Sequence, residues 1–262
     1  MKVKEIIDYL EEVIPPDLAE PWDNVGFQCG DETAEVHKIV IALDPSEKAI
    51  TYAINQQAQL LITHHPLIFS PLKKITSSDP VAHLLMKMVK HHLNLMVLHT
   101  NLDSIADGVS AALLNQLGFK IQGVIQPKRL PGTGLGCWGM AKKTLAAEDF
   151  INLVKTKLDC SFVRVIGQSN QIKKVGVCGG SGADLIPLAI EQGIDAFVLG
   201  EVKYHPARLF EDMPILIVEI GHYESERFVL PILKKKIEHF LNKKGEKVEL
   251  LIFEEASPYR IK

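Results

Sequence analysis

Apolar residues recur at helical spacing near the start of the chain, within residues 3–13. The positions on this stripe are Val3, Ile6, Ile7, Leu10 and Val13. A helix with 3.6 residues per turn places them on one face. Pro15 and Pro16 follow after one more residue, and proline cannot continue a helix because it lacks the backbone N–H. The pattern predicts an amphipathic helix that ends before these prolines.

Short apolar runs then alternate with helix-like segments. After a polar, glycine-rich passage at 21–33, the predicted order is strand (38–46, ending in a turn), helix (47–57), strand (58–66), helix (79–92) and strand (93–104). In the second half we predict a helix at 145–158, a short strand at 161–167, an amphipathic helix at 226–241 and a closing strand at 248–255. This alternation indicates an α/β fold with mixed sheets and helices packed on them.

The second half repeats the plan of the first. Residues 38–65 align without a gap with residues 174–201, so that Lys38 falls on Lys174 at an offset of 136 positions. The same offset places Ala53 on Ala189 and Gln56 on Gln192, and the run LLIT falls on AFVL. We interpret this as an internal duplication that yields two similar α/β domains.

The segment 125–140, rich in glycine and proline, is interpreted as the boundary between the domains. The predicted domains are 1–126 and 127–262, and the closing strand at 248–255 is free to return to the first domain.

Composition narrows the class of protein. The 262 residues are 47% hydrophobic and 23% charged, as in a globular protein, and the net charge of −3 lacks the basic excess typical of nucleic-acid-binding proteins. Charges interrupt the first 16 residues, and no run approaches the roughly 18 apolar residues of a membrane span. The four cysteines form no C-x-x-C pair. We therefore expect a cytoplasmic protein with reduced thiols and no membrane association.

Polar residues follow four of the strand-like runs. They are His64 with His65, His99 with Asp103, Glu201 with His205 just beyond, and His222 with Glu226. Ligands of open α/β sheets bind at the carboxyl ends of the strands. Histidine and carboxylate are the ligands expected for divalent transition metals, and two halves that supply ligands to one place favour a two-metal site.

Other candidate sites are weaker. Isolated histidines are usually ordinary surface or core residues, and this interpretation applies to His37, His83, His91, His92 and His239. A His-His pair after an apolar strand differs, because burying two polar rings costs free energy unless they are bonded. The run 178–184 is either a phosphate-binding loop or, as we prefer, a tight glycine turn. The run 21–30 is either a capped turn or a wall of the active site.

Six segments, in this order, closely resemble the Nif-three-like (NGG-one interacting factor three-like) family. They are WDNVGFQCG (22–30), ITHHPLIF (62–69), HTNLDS (99–104), VCGGSGADLI (177–186), GEVKYHPA (200–207) and GHYESE (221–226). Members of this family are often labelled GTP cyclohydrolase type 2 homologues. The resemblance spans nearly the whole chain, which looks like the short form without the domain that longer members carry near the middle.

The resemblance implies two similar α/β domains around a dinuclear metal centre, assembled into a homohexameric ring. The family's ligand positions fall here on His64, His65, Asp103, His222 and Glu226, with Glu226 as the bridge. His99 and Glu201 would then orient ligands or waters, and His205 matches the family's motif as a proton-transfer group. This chain departs from the common pattern at Phe27 and Pro206, and neither change removes a ligand.

The expected activity is hydrolysis of a nucleotide or a related small molecule by a metal-activated water, with Glu201 or His205 moving protons. The cofactors would be two divalent ions per subunit, drawn from Zn, Fe, Mn, Co and Ni. The alternative is a non-enzymatic metal-binding adaptor or metal-handling protein. A nucleic-acid-binding ring is disfavoured by the mild acidity of the chain.

Overall fold

The computed structural model describes residues 1–259. It divides into two compact units, one of residues 1–102 with the C-terminal part from residue 230, and one of residues 103–229. Each unit has its own mixed sheet and flanking helices, which confirms the α/β class. Within residues 1–259, no helix combines the length and the apolar character needed to cross a bilayer.

The first unit has a five-stranded sheet. Its strands are β1 (Gly26–Cys29), β2 (Lys38–Ala42), β3 (Leu60–Thr63), β4 (Asn94–Val97) and β11 (Glu249–Phe253), and its helices are α1 (Val3–Val13), α2 (Glu47–Asn55), α3 (Pro80–Lys90), α4 (Thr100–Ser104, which continues into the second unit) and α10 (Leu230–Lys244). The strand order is β1-β4-β3-β2-β11, with β1 antiparallel to β4 and the other neighbours parallel.

Local sequence explains these helices and strands. Val3, Ile6, Ile7 and Leu10 of α1 are buried, as the stripe predicts. Ser46 caps α2, since its hydroxyl accepts a hydrogen bond from the Ala49 N–H, and Asp79 caps α3 through the Ala82 N–H. Strands β3 and β4 are buried along their whole length, which is why they read as continuous apolar runs.

The second unit has a six-stranded sheet in the order β5-β6-β8-β9-β10-β7. Its strands are β5 (Ile121–Pro127), β6 (Gly134–Leu145), β7 (Arg164–Ile166), β8 (Ile172–Cys178), β9 (Ala196–Leu199) and β10 (Leu216–Glu219), and its helices are α5 (Val109–Gln116), α6 (Ala147–Leu158), α7 (Ile186–Glu191), α8 (Tyr204–Phe210) and α9 (His222–Glu226). Strands β8, β9 and β10 are parallel, and β5, β6 and β7 run antiparallel to their neighbours.

The division of the chain differs from the boundary predicted at 126/127. The glycine- and proline-rich segment 125–140 is not a linker, because it forms most of the antiparallel hairpin of β5 and β6, and β6 also pairs with β8. Helix α5 packs on β6 and β8, so residues 103–126 belong to the second unit. Strand β11 pairs with β2, so the closing strand does return to the first unit.

The two units share a strand register at positions that lie 136 residues apart in the sequence. Ile39 of β2 lies opposite Leu60 of β3, and Val175 of β8 lies opposite Ala196 of β9, so the two strand pairs have the same register. In both cases a third parallel strand follows, bordered by an antiparallel one.

The turns that precede β3 and β9 also correspond. Gln57 and Gly193 both have positive φ, at 56° and 66°. Two positions later, the side chain of Gln59 accepts hydrogen bonds from the N–H groups of residues 37 and 38, and the side chain of Asp195 accepts them from residues 173 and 174. These contacts match at the same offset of 136 positions, and the internal duplication itself stays a prediction of the alignment.

Candidate metal centre

Three histidines meet at the carboxyl ends of two neighbouring strands of the first unit. His64 and His65 follow β3, and His99 follows β4 after Leu98. Because β3 and β4 are parallel and in register, their ends lie side by side. The ring nitrogens that His64, His65 and His99 can offer to a metal lie within 4.8 Å of one another. The sequence predicted His64 and His65 as ligands, and His99 stands with them.

Each of the first two imidazoles is held through Nδ1. Nδ1 of His64 lies 2.8 Å from the carbonyl oxygen of Leu98, which can only accept, so this nitrogen carries the proton. Nδ1 of His65 donates to Oδ1 of Asp44 over 2.8 Å. In a neutral imidazole, Nε2 then has the lone pair. Metal-ligating histidines in proteins commonly have this arrangement.

His99 is held in the same way by Asp23. Its Nδ1 lies 2.9 Å from Oδ1 of the buried Asp23, whose other oxygen accepts hydrogen bonds from the N–H and the hydroxyl of Thr100. Burial by itself would raise the pKa of Asp23. The hydrogen bonds from His99 and Thr100 outweigh it and hold this pKa at about 2. Asp23 is therefore ionised at neutral pH and orients the ring of His99.

The second unit has a separate pair of ligand-type side chains on α9. His222 and Glu226 stand one turn apart on the same face of the helix, with Nε2 of His222 3.2 Å from Oε1 of Glu226. Nδ1 of His222 lies 3.5 Å from Oε1 of Glu201. The carboxylate of Glu226 is buried, whereas that of Glu201 is partly accessible to solvent.

The glycine turn after β8 is shaped by this pair. Gly180 has a φ of +62°, and a Cβ at this position would lie 2.4 Å from Oε1 of Glu226 and 3.1 Å from Nε2 of His222. The N–H of Gly180 donates to the hydroxyl of Ser225 over 2.9 Å. The run 178–184 is thus a tight turn packed against a carboxylate, and that negative charge disfavours the alternative of a phosphate-binding loop.

Asp103 lies near the end of β8 in the second unit. Burial raises the pKa of the Cys178 thiol, and the negative charges of Asp103 and Glu226 raise it further. Both carboxylates are therefore close to the same thiol. Asp103 also borders a cavity of about 290 Å³, whose wall includes Ser110, Gln122 and Gly123.

His205 and the five isolated histidines lie on the protein surface. His205 is exposed in the first turn of α8, and its ring packs edge-on against Tyr204 at 5.6 Å. The isolated histidines at positions 37, 83, 91, 92 and 239 are all exposed, in accordance with an ordinary surface role.

Sequence reasoning missed two orienting carboxylates, Asp23 and Asp44. Asp44 follows β2 just as the predicted ligands follow their strands, and that position was a usable signal. Asp23 lies in a segment without regular structure, and nothing local links it to His99.

Comparison with known families assigns the chain to a family. The family model for Duf34/NIF3 (NGG1p interacting factor 3) matches residues 1–258. The chain belongs to the NIF3 family. A GTP cyclohydrolase 1 type 2 homolog of Clostridium perfringens is 34% identical over 259 residues, which cover 98% of this chain and 97% of the relative. A protein of Clostridium acetobutylicum with the same description is 30% identical over 266 residues, covering 100% of this chain and 99% of the relative.

The fold of this NIF3 chain is also that of solved structures. The hypothetical protein SA1388 of Staphylococcus aureus superposes with a TM-score of 0.93 at 27% identity, covering 100% of this chain and 99% of that one. The resemblance that the six motifs indicated is thereby confirmed.

Proposed function

We propose that this NIF3 protein is a hydrolase that depends on two divalent metal ions and acts on a nucleotide or a related small molecule. The proposed ligands are His64, His65, Asp103, His222 and Glu226, with Glu226 as the bridge. The observation that carries the proposal is the histidine cluster of the first unit, in which all three rings are held through Nδ1.

The donor set fits divalent transition metals. Imidazole nitrogens and carboxylate oxygens suit Zn, Fe, Mn, Co and Ni. Glu226 is almost completely buried, and a nearby cation offsets the cost of burying a carboxylate. Because α4 directly follows His99, Asp103 stands about 6 Å from it along the helix axis, given a rise of about 1.5 Å per residue.

Divalent ions held by these ligands would lower the pKa of a water and polarise the bond that it attacks. Leu98 and Asp44 keep the proton of His64 and His65 on Nδ1, so Nε2 is the nitrogen that would bind an ion. Glu201 is accessible to solvent and lies beside His222, so its carboxylate can accept a proton and exchange it with bulk water. His205 is the second candidate for this proton transfer.

The substrate class and the assembly rest on the relatives and on the resemblance. The curated relatives are described as GTP cyclohydrolase 1 type 2 homologs, which supports a nucleotide substrate. We further propose a homohexameric ring in the cytoplasm, where the free cysteines at positions 29, 137, 160 and 178 would stay reduced.

The proposal is tested by metal content and turnover measured on the same preparations. Wild-type protein should hold about two ions per chain and hydrolyse a member of a panel of nucleotides, phosphoesters and cyclic amides, and chelation should abolish this turnover. His65→Ala and Glu226→Ala should lose metal, whereas His37→Ala, at an exposed histidine, should not.

Two results would contradict the proposal in different ways. Unchanged metal content in both ligand variants would refute the site. Two bound ions without turnover on any substrate of the panel would refute the hydrolase and favour a metal-handling or adaptor protein.

A further inference from the structure

Two aromatic side chains of the first unit are unusually exposed. Trp22 is 58% exposed and Phe69 is 54% exposed, although large aromatic residues usually bury most of their surface. Their ring centroids lie 5.8 Å apart with the planes inclined at 47°. The two rings therefore form one apolar surface with accessible aromatic faces.

This aromatic pair stands beside the histidine cluster. The ring of Trp22 packs edge-on against that of His99, with centroids 6.2 Å apart. The ring of His99 in turn lies 5.2 Å from that of His64 and 5.5 Å from that of His65. A molecule that covers Trp22 would thus extend directly to the proposed ligands.

Hydrogen bonds tie together the two loops that carry the pair. Nδ2 of Asn24 donates to the carbonyl of Ile68 over 2.6 Å. Oε1 of Gln28 accepts from the N–H groups of Leu67 and Ile68, and its Nε2 donates to the carbonyl of Asn24 over 2.7 Å. The residue next to Trp22 is Asp23, which is anchored on His99 and Thr100.

These contacts make the aromatic surface preorganised. Neither ring is carried by a loop that would have to be ordered when a ligand binds, so little conformational entropy would be lost. Single apolar residues scattered over a protein surface are common and need no explanation. This surface differs from them because it is preorganised and lies beside three oriented histidines.

We propose that Trp22 and Phe69 form a stacking platform for a planar heteroaromatic ring of the substrate, of the nucleobase class. The inference rests on the proposed function, because it names the substrate class of the same site. Flat rings gain from offset or inclined packing on tryptophan and phenylalanine, and such stacking tolerates many different bases because each has a π-face. The remainder of the substrate would then face the histidine cluster.

The chain offers a direct reporter for this platform. It contains two tryptophans, Trp22 and Trp138, and Trp138 lies in β6 beneath the ammonium group of Lys174. In a Trp138→Phe background, Trp22 is the single tryptophan. We expect guanosine and adenosine to quench its fluorescence in a saturable manner, and ribose 5-phosphate, which lacks the base, to leave it unchanged.

Matched variants separate stacking from general apolar contact. Trp22→Leu keeps an apolar side chain but has no π-face. It should weaken guanosine binding by about 10-fold or more, as measured by calorimetry. Phe69→Leu should also weaken guanosine binding. Trp22→Phe should retain part of the affinity. The control is Ile75→Ala, which removes another exposed apolar side chain from the loop that carries Phe69. This variant should leave guanosine binding unchanged.

The outcomes separate this inference from the proposed function. Base-dependent quenching in protein that shows no metal-dependent turnover would support the platform and reject the hydrolase. Metal-dependent turnover with the same KM in wild type and Trp22→Leu would reject the platform and keep the hydrolase. A third result would also reject the platform. If Trp22 is shielded from acrylamide in the free protein and Trp22→Leu changes the sedimentation coefficient, a second copy of the chain covers these rings.

Discussion

Nδ1 of His99 donates a hydrogen bond to the buried carboxylate of Asp23 over 2.9 Å, across 76 positions of sequence. The same carboxylate holds the first residue of α4, Thr100, through its N–H and its hydroxyl. One side chain from an irregular segment thereby orients a histidine and anchors the start of a helix. This relationship gives the polar run 21–30 a role at the candidate site as well as in the turn.

The ionised form of Asp23 should contribute to stability in a defined pH range. Its pKa is held at about 2 in the folded protein, below the ordinary value of about 3.9. The contribution is therefore present above pH ~4 and is lost as the pH falls towards 2. At neutral pH, Asp23→Asn should lower the free energy of unfolding by on the order of 2 kcal/mol, as measured by urea denaturation.

The difference between Asp23→Asn and wild type should shrink between pH 4 and pH 2. Asp8→Asn, at an exposed carboxylate that pairs with Lys4, serves as the control and should change little. A difference that stays constant across this range would show that the charge of Asp23 is not the cause.

Asp44 should tune metal binding through His65. Because its carboxylate accepts from Nδ1 of His65, Asp44→Asn weakens the hold on the ring and lowers its basicity. We expect metal affinity to fall by about 10–100-fold in competition with a chromogenic chelator. Asp44 is partly exposed, so the melting temperature should change little. Asp212→Asn, at an exposed position, should bind metal like wild type, and equal affinity in both variants would contradict the role of Asp44.

Alanine variants of Gly180 and Gly193 separate the effect of backbone strain from that of a steric clash with Glu226. Both have positive φ, and a Cβ at Gly180 would meet Glu226, whereas a Cβ at Gly193 would meet no atom within 4 Å. Replacing either by alanine should lower the free energy of unfolding by about 1 kcal/mol because of the unfavourable φ. Only Gly180→Ala should also reduce the number of ions bound per chain, measured by elemental analysis. The same metal content in both variants would show that the position of Glu226 does not depend on Gly180.

The matched side chains Gln59 and Asp195 should make similar contributions to the two units. Each side chain accepts two backbone hydrogen bonds. Gln59→Ala should therefore lower the free energy of unfolding by about 1–2 kcal/mol. Asp195→Ala should lower it by about 2–3 kcal/mol, because hydrogen bonds to a charged acceptor are stronger. Asp195→Asn keeps a carbonyl acceptor and should recover part of the loss. An alanine variant at either position with wild-type stability would argue against the shared role.

Local sequence predicted most of the regular structure, and the exceptions have a common cause. Helix α1 and strands β2, β3 and β4 were predicted because their periodicity, caps and apolar runs are local. Strand β1 was missed because its four residues lie in a polar passage and are recruited as a strand by pairing with β4. The β5–β6 hairpin was interpreted as a boundary because glycine and proline dominate its turn, whereas its place in the sheet depends on pairing with β8.

The sequence by itself determined the α/β class, the family and the polar residues at the strand ends, since each depends on short motifs or on their order along the chain. Only the tertiary structure decided that β11 pairs with β2, that His99 joins His64 and His65, and that Asp23 orients His99 and Asp44 orients His65. These relationships form between segments that are distant in sequence. Parallel pairing of β2, β3 and β4, with β1 antiparallel to β4, is what brings them to one edge of a sheet. A local pattern contains the chemical groups of such a site but not the contacts that orient them.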